Sequence, residues 1–225
     1  MALFLTLLSE FRYLFRQLFL LLLCCSTNSL SADTLPVGSF AKEGLVGWES
    51  VNFNDETSYD IVSYKGQYVV RAISADSASG MLKKMRVDLV NTPYLNWSWK
   101  VDQSLTGLNE RTRRGDDYAA RVYVVIKDGL FFWQTKALIY VWSGSEKKDT
   151  LWPNAFTDNS QMIALQSGDD KKGLWVHEKR NVLQDLKHAF GDRFTAIDGV
   201  AFMTDTDNSD GQVTAYYGNI FFTDK

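Results

Sequence analysis

The sequence holds only two cysteines, three prolines and two histidines. Both cysteines, Cys24 and Cys25, sit together near the N-terminus. Beyond them no thiol remains, so neither a disulfide framework nor a cysteine-based zinc site can form there. His177 and His188 are too few for most histidine-rich metal sites. A G-x-S-x-G elbow, a phosphate-binding glycine loop, an H-E-x-x-H and a C-x-x-C are all missing. Serine-hydrolase, nucleotide and zinc-protease chemistry therefore have no residues to stand on. The charge balance is mildly acidic, −3 overall, with Lys and Arg scattered along the chain. Nucleic acid is excluded as a partner on that ground, because phosphate neutralisation needs a basic face.

What is present begins with a leader. Arg12 and Arg16 precede an almost unbroken apolar run over 17–25, LFLLLLCC after Gln17. A run of this length is too short for a bilayer, which takes about 20 apolar residues, and has the dimensions of a signal-peptide core. Small and polar residues follow, so a signal peptide over 1–31 is expected, cut after Ser31 or Ala32, with 32–225 as a single domain. An uncleaved amphipathic anchor and acylation at Cys24 or Cys25 are the weaker alternatives. Removing Glu10, Arg12 and Arg16 with the leader takes the net charge from −3 to −4. No transmembrane span follows it, and the reading places the mature chain in the periplasm or at the cell surface. The oligomeric state has no signature in the sequence.

Period-two patterning dominates the mature chain and argues for a mostly β fold. Tyr68, Val70 and Ala72 alternate with Val69, Arg71 and Ile73 over 67–74. Leu95, Trp97, Trp99 and Val101 alternate with polar residues, which describes a strand with its heavy side inward. Runs over 117–127 and 131–142 flank Lys127, Asp128 and Gly129, a hairpin signal because the turn needs positive φ. The runs 197–204 and 212–223, on either side of a polar turn, read as a final hairpin. One segment breaks the rhythm. Val182, Leu186 and Ala189 or Phe190 fall at helical spacing, with Asn181 as N-cap and Gly191 as terminator. Many strands with one or two short helices predict a two-sheet antiparallel sandwich.

Several runs resemble the domain of unknown function 3047 family of exported bacterial proteins. They are LNWSWKV (95–101), GDDYAARVYVV (115–125), ALIYVW (137–142), HEKRNVLQD (177–185), IDGVAFMTDTDNS (197–209) and AYYGNIFF (215–222). The last is also similar to the closing strand of galactose-binding-like jelly rolls. The resemblance implies a jelly-roll fold, hints at carbohydrate and implies no activity.

The candidate chemistry starts on the strand over 117–127. If Val122, Val124 and Ile126 face the core, Asp117, Ala119, Arg121 and Tyr123 share the other face. A carboxylate, a guanidinium and a phenol in one row suit a sugar or acidic ligand. The bland alternative is a solvated face of cross-strand ion pairs. Glu178 and Arg180 are candidates to join that ligand site. Glu178 with Asp117 would form the carboxylate pair of a glycosidase or lyase, if both reached one groove. Asp205 and Asp207, with Ser209 and Asp210, invite a structural calcium ion. The EF-hand pattern fails, because Asp210 and Tyr216 stand where Gly and Glu belong. Trp97 and Trp99 read as core, whereas Trp152, beside Pro153 in a polar loop, reads as an exposed platform. The basic stretch 111–114 reads as a solvated loop. The leading expectation is a binding module for a glycan or other polar extracellular ligand. A glycan-cleaving enzyme and an envelope scaffold without small ligand are the alternatives.

Overall fold

The computed structural model describes residues 33–129 and 135–225. The expected leader, with Cys24 and Cys25, lies outside them, as do residues 131–134 of the run expected over 131–142. Among the described residues two sheets of seven strands each form a jelly-roll-like β-sandwich. Sheet A runs β1 (Thr34–Gly38), β14 (Ile220–Thr223), β6 (Tyr94–Val101), β13 (Gln212–Tyr217), β4 (Gln67–Ala75) and β3 (Ser58–Tyr64), with β11 (Val176–Asn181) on the other side of β6. Sheet B runs β2 (Glu49–Asn54), β5 (Ala78–Asp88), β12 (Ala196–Asp205), β7 (Arg121–Lys127), β8 (Thr135–Ser143), β10 (Ser160–Ser167) and β9 (Leu151–Pro153). No helix of the described residues is long and apolar enough to cross a membrane.

Alternation builds the core between the sheets. From sheet A come Val70, Leu95, Trp97, Trp99, Val101, Tyr217 and Phe222; from sheet B come Val122, Val124, Leu138, Tyr140, Trp142 and Phe202, all fully or almost fully buried. Tyr217 crosses the layer: its hydroxyl donates to the Met203 carbonyl at 2.6 Å and sits 2.8 Å from Thr204 Oγ1. A buried phenol there must find such a partner, which also fixes the sheets relative to each other.

Among the described residues two α-helices and a 3-10 turn (Arg113–Gly115) complete the fold. Helix α1 (Phe40–Glu43) is a single turn whose Phe40 enters the core. Helix α2 (Val182–Phe190) forms where the periodicity predicts it. Asn181 Oδ1 accepts the Gln184 N–H at 3.0 Å, and Gly191 leaves the helix at φ 80°. Val182 and Leu186 are the face it buries.

Three expectations need correction. The runs 197–204 and 212–223 are not a hairpin, because β12 pairs within sheet B and β13 within sheet A. The turn between them arches from one sheet to the other, anchored where Thr206 meets Ser74 at 2.8 Å and the Ser77 carbonyl at 3.0 Å. The second run also breaks at Gly218 and Asn219, where the Asn219 side chain accepts the Phe40 N–H. Next, β8 and β10 pair in parallel, one exception to the antiparallel pattern. A parallel neighbour needs a long crossover, and residues 144–159 supply it, carrying β9 to the edge of β10. Finally, Trp152 is not an exposed platform. It stands opposite Met162 across the β9–β10 pair and is 1% exposed, packed with Tyr118, Ile139 and Val141 in a second apolar cluster. The Arg111 guanidinium lies 5.8 Å from its ring and itself pairs with Glu146.

Candidate functional site

The outer face of sheet B carries the most chemistry. Strand β7 begins at Arg121, later than the sequence suggests, and from there the alternation holds. Val122, Val124 and Ile126 enter the core, while Arg121 and Tyr123 turn outward. Met203 pairs with Arg121 across β7 and β12, so Asp205, two residues further, emerges on the same face. The run does not extend that face back to residue 117: Ala119 packs into the core, and 116–120 form a loop over the sheet end. Asp117, expected to share that face, is instead fully buried in the loop, where its carboxylate approaches Asp205 and Asp207.

Arg121, Tyr123 and Asp205, with Asp116, Asp207 and Asn208, converge on a cleft of about 440 Å³. The Arg121 guanidinium is almost fully buried and clamps Asp205 with two N–H groups, Nε to Oδ1 at 2.8 Å and Nη2 to Oδ2. Nη2 also donates to the Asp116 carbonyl at 2.5 Å, and the guanidinium lies 4.5 Å over the Tyr118 ring. Burial works against its charge, but Tyr123 and Asp116 beside it outweigh that and raise its pKa overall. Arg121 is thus not the free fork that the sequence suggested for a ligand carboxylate. Its donors are held by the protein's own acids, and it sets the positions of Asp205 and Asp116.

The remaining acids are also oriented. Asp116 accepts both hydrogen bonds that Asn154 Nδ2 makes to it, each at 3.1 Å. Asp117 is fully buried and accepts from the Asn208 backbone at 3.0 Å and its side chain at 3.1 Å. Asp207 accepts from Asn208 Nδ2 at 2.8 Å. Phe53 and Phe156, 70% and 51% exposed, flank the cleft. Small-ligand sites combine apolar lining with a few placed polar groups, and Ile139, Met203 and the two phenylalanines stand here beside the acids and amides.

The calcium expectation is refined by this geometry. Asp117, Asp205 and Asp207 bring one carboxylate oxygen each within 4.8 Å of one another. Asp210 is exposed and does not join them. Yet Asp205 is already clamped by Arg121 and Asp117 by Asn208. Each of the three carboxylates also accepts N–H donors of the protein, Asp207 from Asn208.

Burial first, and then the charge of Asp117, push the Asp207 carboxyl above the ordinary aspartate range. A raised folded-state pKa means that Asp207 favours folding at low pH, and that this contribution is lost as pH rises through the folded value. Asp207→Asn is therefore expected to raise the melting temperature modestly at pH 7 and to leave it unchanged at pH 3. Equal shifts at both pH values in thermal melts would contradict the assignment.

Glu178 and Arg180 do not reach this cleft. They lie on β11 in sheet A. Glu178 accepts the Trp99 indole N–H at 3.2 Å and Gln166 Nε2 at 2.6 Å; burial raises its pKa against these bonds. Arg180 binds Asp185 through two nitrogens at 2.9 and 2.7 Å, and Asp149 at 3.1 Å, tying β11 to α2. Glu178 thus lies on a strand of sheet A and Asp117 in the loop before β7 of sheet B, where its neighbours are Asn208, Asp205 and Asp207. Sequence reasoning passed over Asp116, Asn154, Asn208, Phe53 and Phe156. Asp116, adjacent to Asp117 in the GDDY run, had a signal; the others become neighbours only through the crossover and the arch.

A family model described as "Protein of unknown function (DUF3047)" matches residues 46–221, and the chain belongs to this family. No curated protein matches the sequence. Among solved structures it is similar to endoglucanase cel12A of Rhodothermus marinus, at 10% identity over 85% of this chain and 96% of that one, TM-score 0.47. The family 30 carbohydrate-binding module of a cellulosomal cellulase of Clostridium thermocellum matches at 11% identity, over 80% and 92% of the two chains, TM-score 0.43. The xyloglucanase domain of NopAA from Sinorhizobium fredii matches at 12% identity, over 80% and 94%, TM-score 0.43. At these scores the likeness is one of strand arrangement and carries no ligand over.

Proposed function

We propose that the chain is an exported glycan-binding module whose cleft on sheet B takes an uncharged or amine-bearing saccharide. The observation that carries this reading is the cleft itself, whose lining joins oriented carboxylates and amides to two exposed phenylalanines. Asp207, Asn208 and Asn154 offer hydrogen bonds to sugar hydroxyls, and Phe53 and Phe156 offer rings to their apolar faces. Asp116, Asp205 and Asp207 outnumber Arg121 in its lining, so the cleft disfavours an anionic ligand. Arg121 and Asp205 act beneath the ligand as its support. The apolar leader supports export, which is tested by the mature chain's mass in a periplasmic fraction.

Calorimetric titration with envelope and environmental polysaccharides, with and without calcium, tests the binding. Asp207→Ala and Phe156→Ala are each expected to weaken it about tenfold, the equivalent of ~1.4 kcal/mol. Absence of binding to every glycan tried, or binding indifferent to both changes, would overturn the reading.

A further inference from the structure

The opposite face of the sandwich has a groove of its own. Asn96 and Ser98 of β6, and His177 and Lys179 of β11, take the outward positions of two paired strands, opposite the buried Trp97 and Trp99. They line a groove of about 750 Å³ on sheet A together with Trp175 and Gly218. Gly218, in the break between β13 and β14, leaves the wall low at this point. A Cβ there would stand 2.2 Å from Ser98 Oγ. Trp175 is half-buried and held in an aromatic cluster, 5.7 Å from the Tyr64 ring at 69° and 6.4 Å from Tyr216.

The exposed side chains of this groove include a cation where the cleft gathers acids. Lys179 and His177 are exposed along it. The one acid among its lining residues is Glu178, whose carboxylate is drawn toward the sandwich interior by Trp99 and Gln166. We infer that this groove is a second carbohydrate site, for a polysaccharide bearing uronic acids. A tryptophan ring packs against the apolar face of a sugar, while Lys179 and His177 meet its carboxylates and Asn96 and Ser98 its hydroxyls. Anionic membranes and nucleic acids demand clusters of cations, whereas the lining of this groove holds a single lysine. The inference stands apart from the cleft on sheet B, whose acids repel the same polymer.

Titration of the full chain with polygalacturonate, beside a neutral β-glucan, tests it. Polygalacturonate is expected to bind and to weaken as salt screens the lysine. Trp175→Ala and Lys179→Glu are each expected to lower its affinity about tenfold. Lys179 is exposed, so its reversal leaves the core alone and keeps the result readable if the tryptophan variant folds poorly. No binding at low salt, or binding unmoved by both changes, overturns the inference. A loss confined to Asp207→Ala also overturns it, by moving the polymer to the cleft. Equal affinity for the neutral glucan overturns the acidic preference.

Discussion

Arg121→Met is expected to lower the stability of the fold by about 3–5 kcal/mol, measured by chemical denaturation. The guanidinium is 4% exposed, and Asp205 beside it is 1% exposed. Taking away the cation leaves Asp205 with only a distant N–H from Tyr118, at 3.4 Å, in place of a bidentate clamp. A buried carboxylate left unpaired costs far more than the pair itself contributes. Arg121→Lys should recover little, because an ammonium cannot reproduce the planar fork that grips both oxygens of Asp205. Removing both partners, as Arg121→Met with Asp205→Leu, should return part of the loss, since no orphaned charge then remains on Asp205. A single-variant loss below about 1 kcal/mol would mean that the pair behaves like a solvated surface bridge.

The second large effect is expected at Trp99. Its ring is fully buried, 5.5 Å from Trp97 and 5.9 Å from Trp142, and its indole N–H serves Glu178. Trp99→Ala should cost about 3–5 kcal/mol through lost burial and the cavity left behind. Trp99→Phe separates the two roles. It keeps much of the ring but strips a donor from a half-buried carboxylate, for about 1–3 kcal/mol. If the phenylalanine variant matched the wild type in denaturant midpoint, the indole N–H would have no structural part.

Local pattern carried the sandwich far. The alternation at Leu95, Trp97 and Trp99 sets a strand and its buried side, and Asn181 and Gly191 mark both ends of α2. These signals are short-range, and the physics behind them acts within a few residues. The antiparallel pairing of β7 with β8 was legible for the same reason, although β8 starts at Thr135. The arch between β12 and β13 was not. A polar turn between two apolar runs looks alike whether the second run returns to its neighbour or crosses to the other sheet. What decides it here is a set of contacts from Thr206 to Ser74 and Ser77, more than a hundred residues away in sequence.

The site divided along the same line. Arg121 and Tyr123 emerged together because strand parity is local. That Asp205, rather than a ligand, would fill the arginine's fork depends on the register between β7 and β12, which no run of residues announces. Glu178 illustrates the opposite case. Its parity placed it among polar neighbours, but its cross-strand partner is Trp97, and it turns with the tryptophans toward the interior. Trp152 misled for a related reason. A proline and polar residues around it suggest solvent, yet three residues of β9 suffice to lay the indole against Met162.

The order of strands in sheet A has a kinetic consequence. Strand β1 pairs with β14, and β6 waits for β13 and β14 along one side. Residues 34–38 and 94–101 therefore hold open hydrogen-bonding edges until 212–223 arrive. Contacts of such long sequence separation form late and slowly. A nascent chain in which 212–223 have not yet emerged cannot close sheet A, and its unpaired edges are what a holding chaperone would recognise.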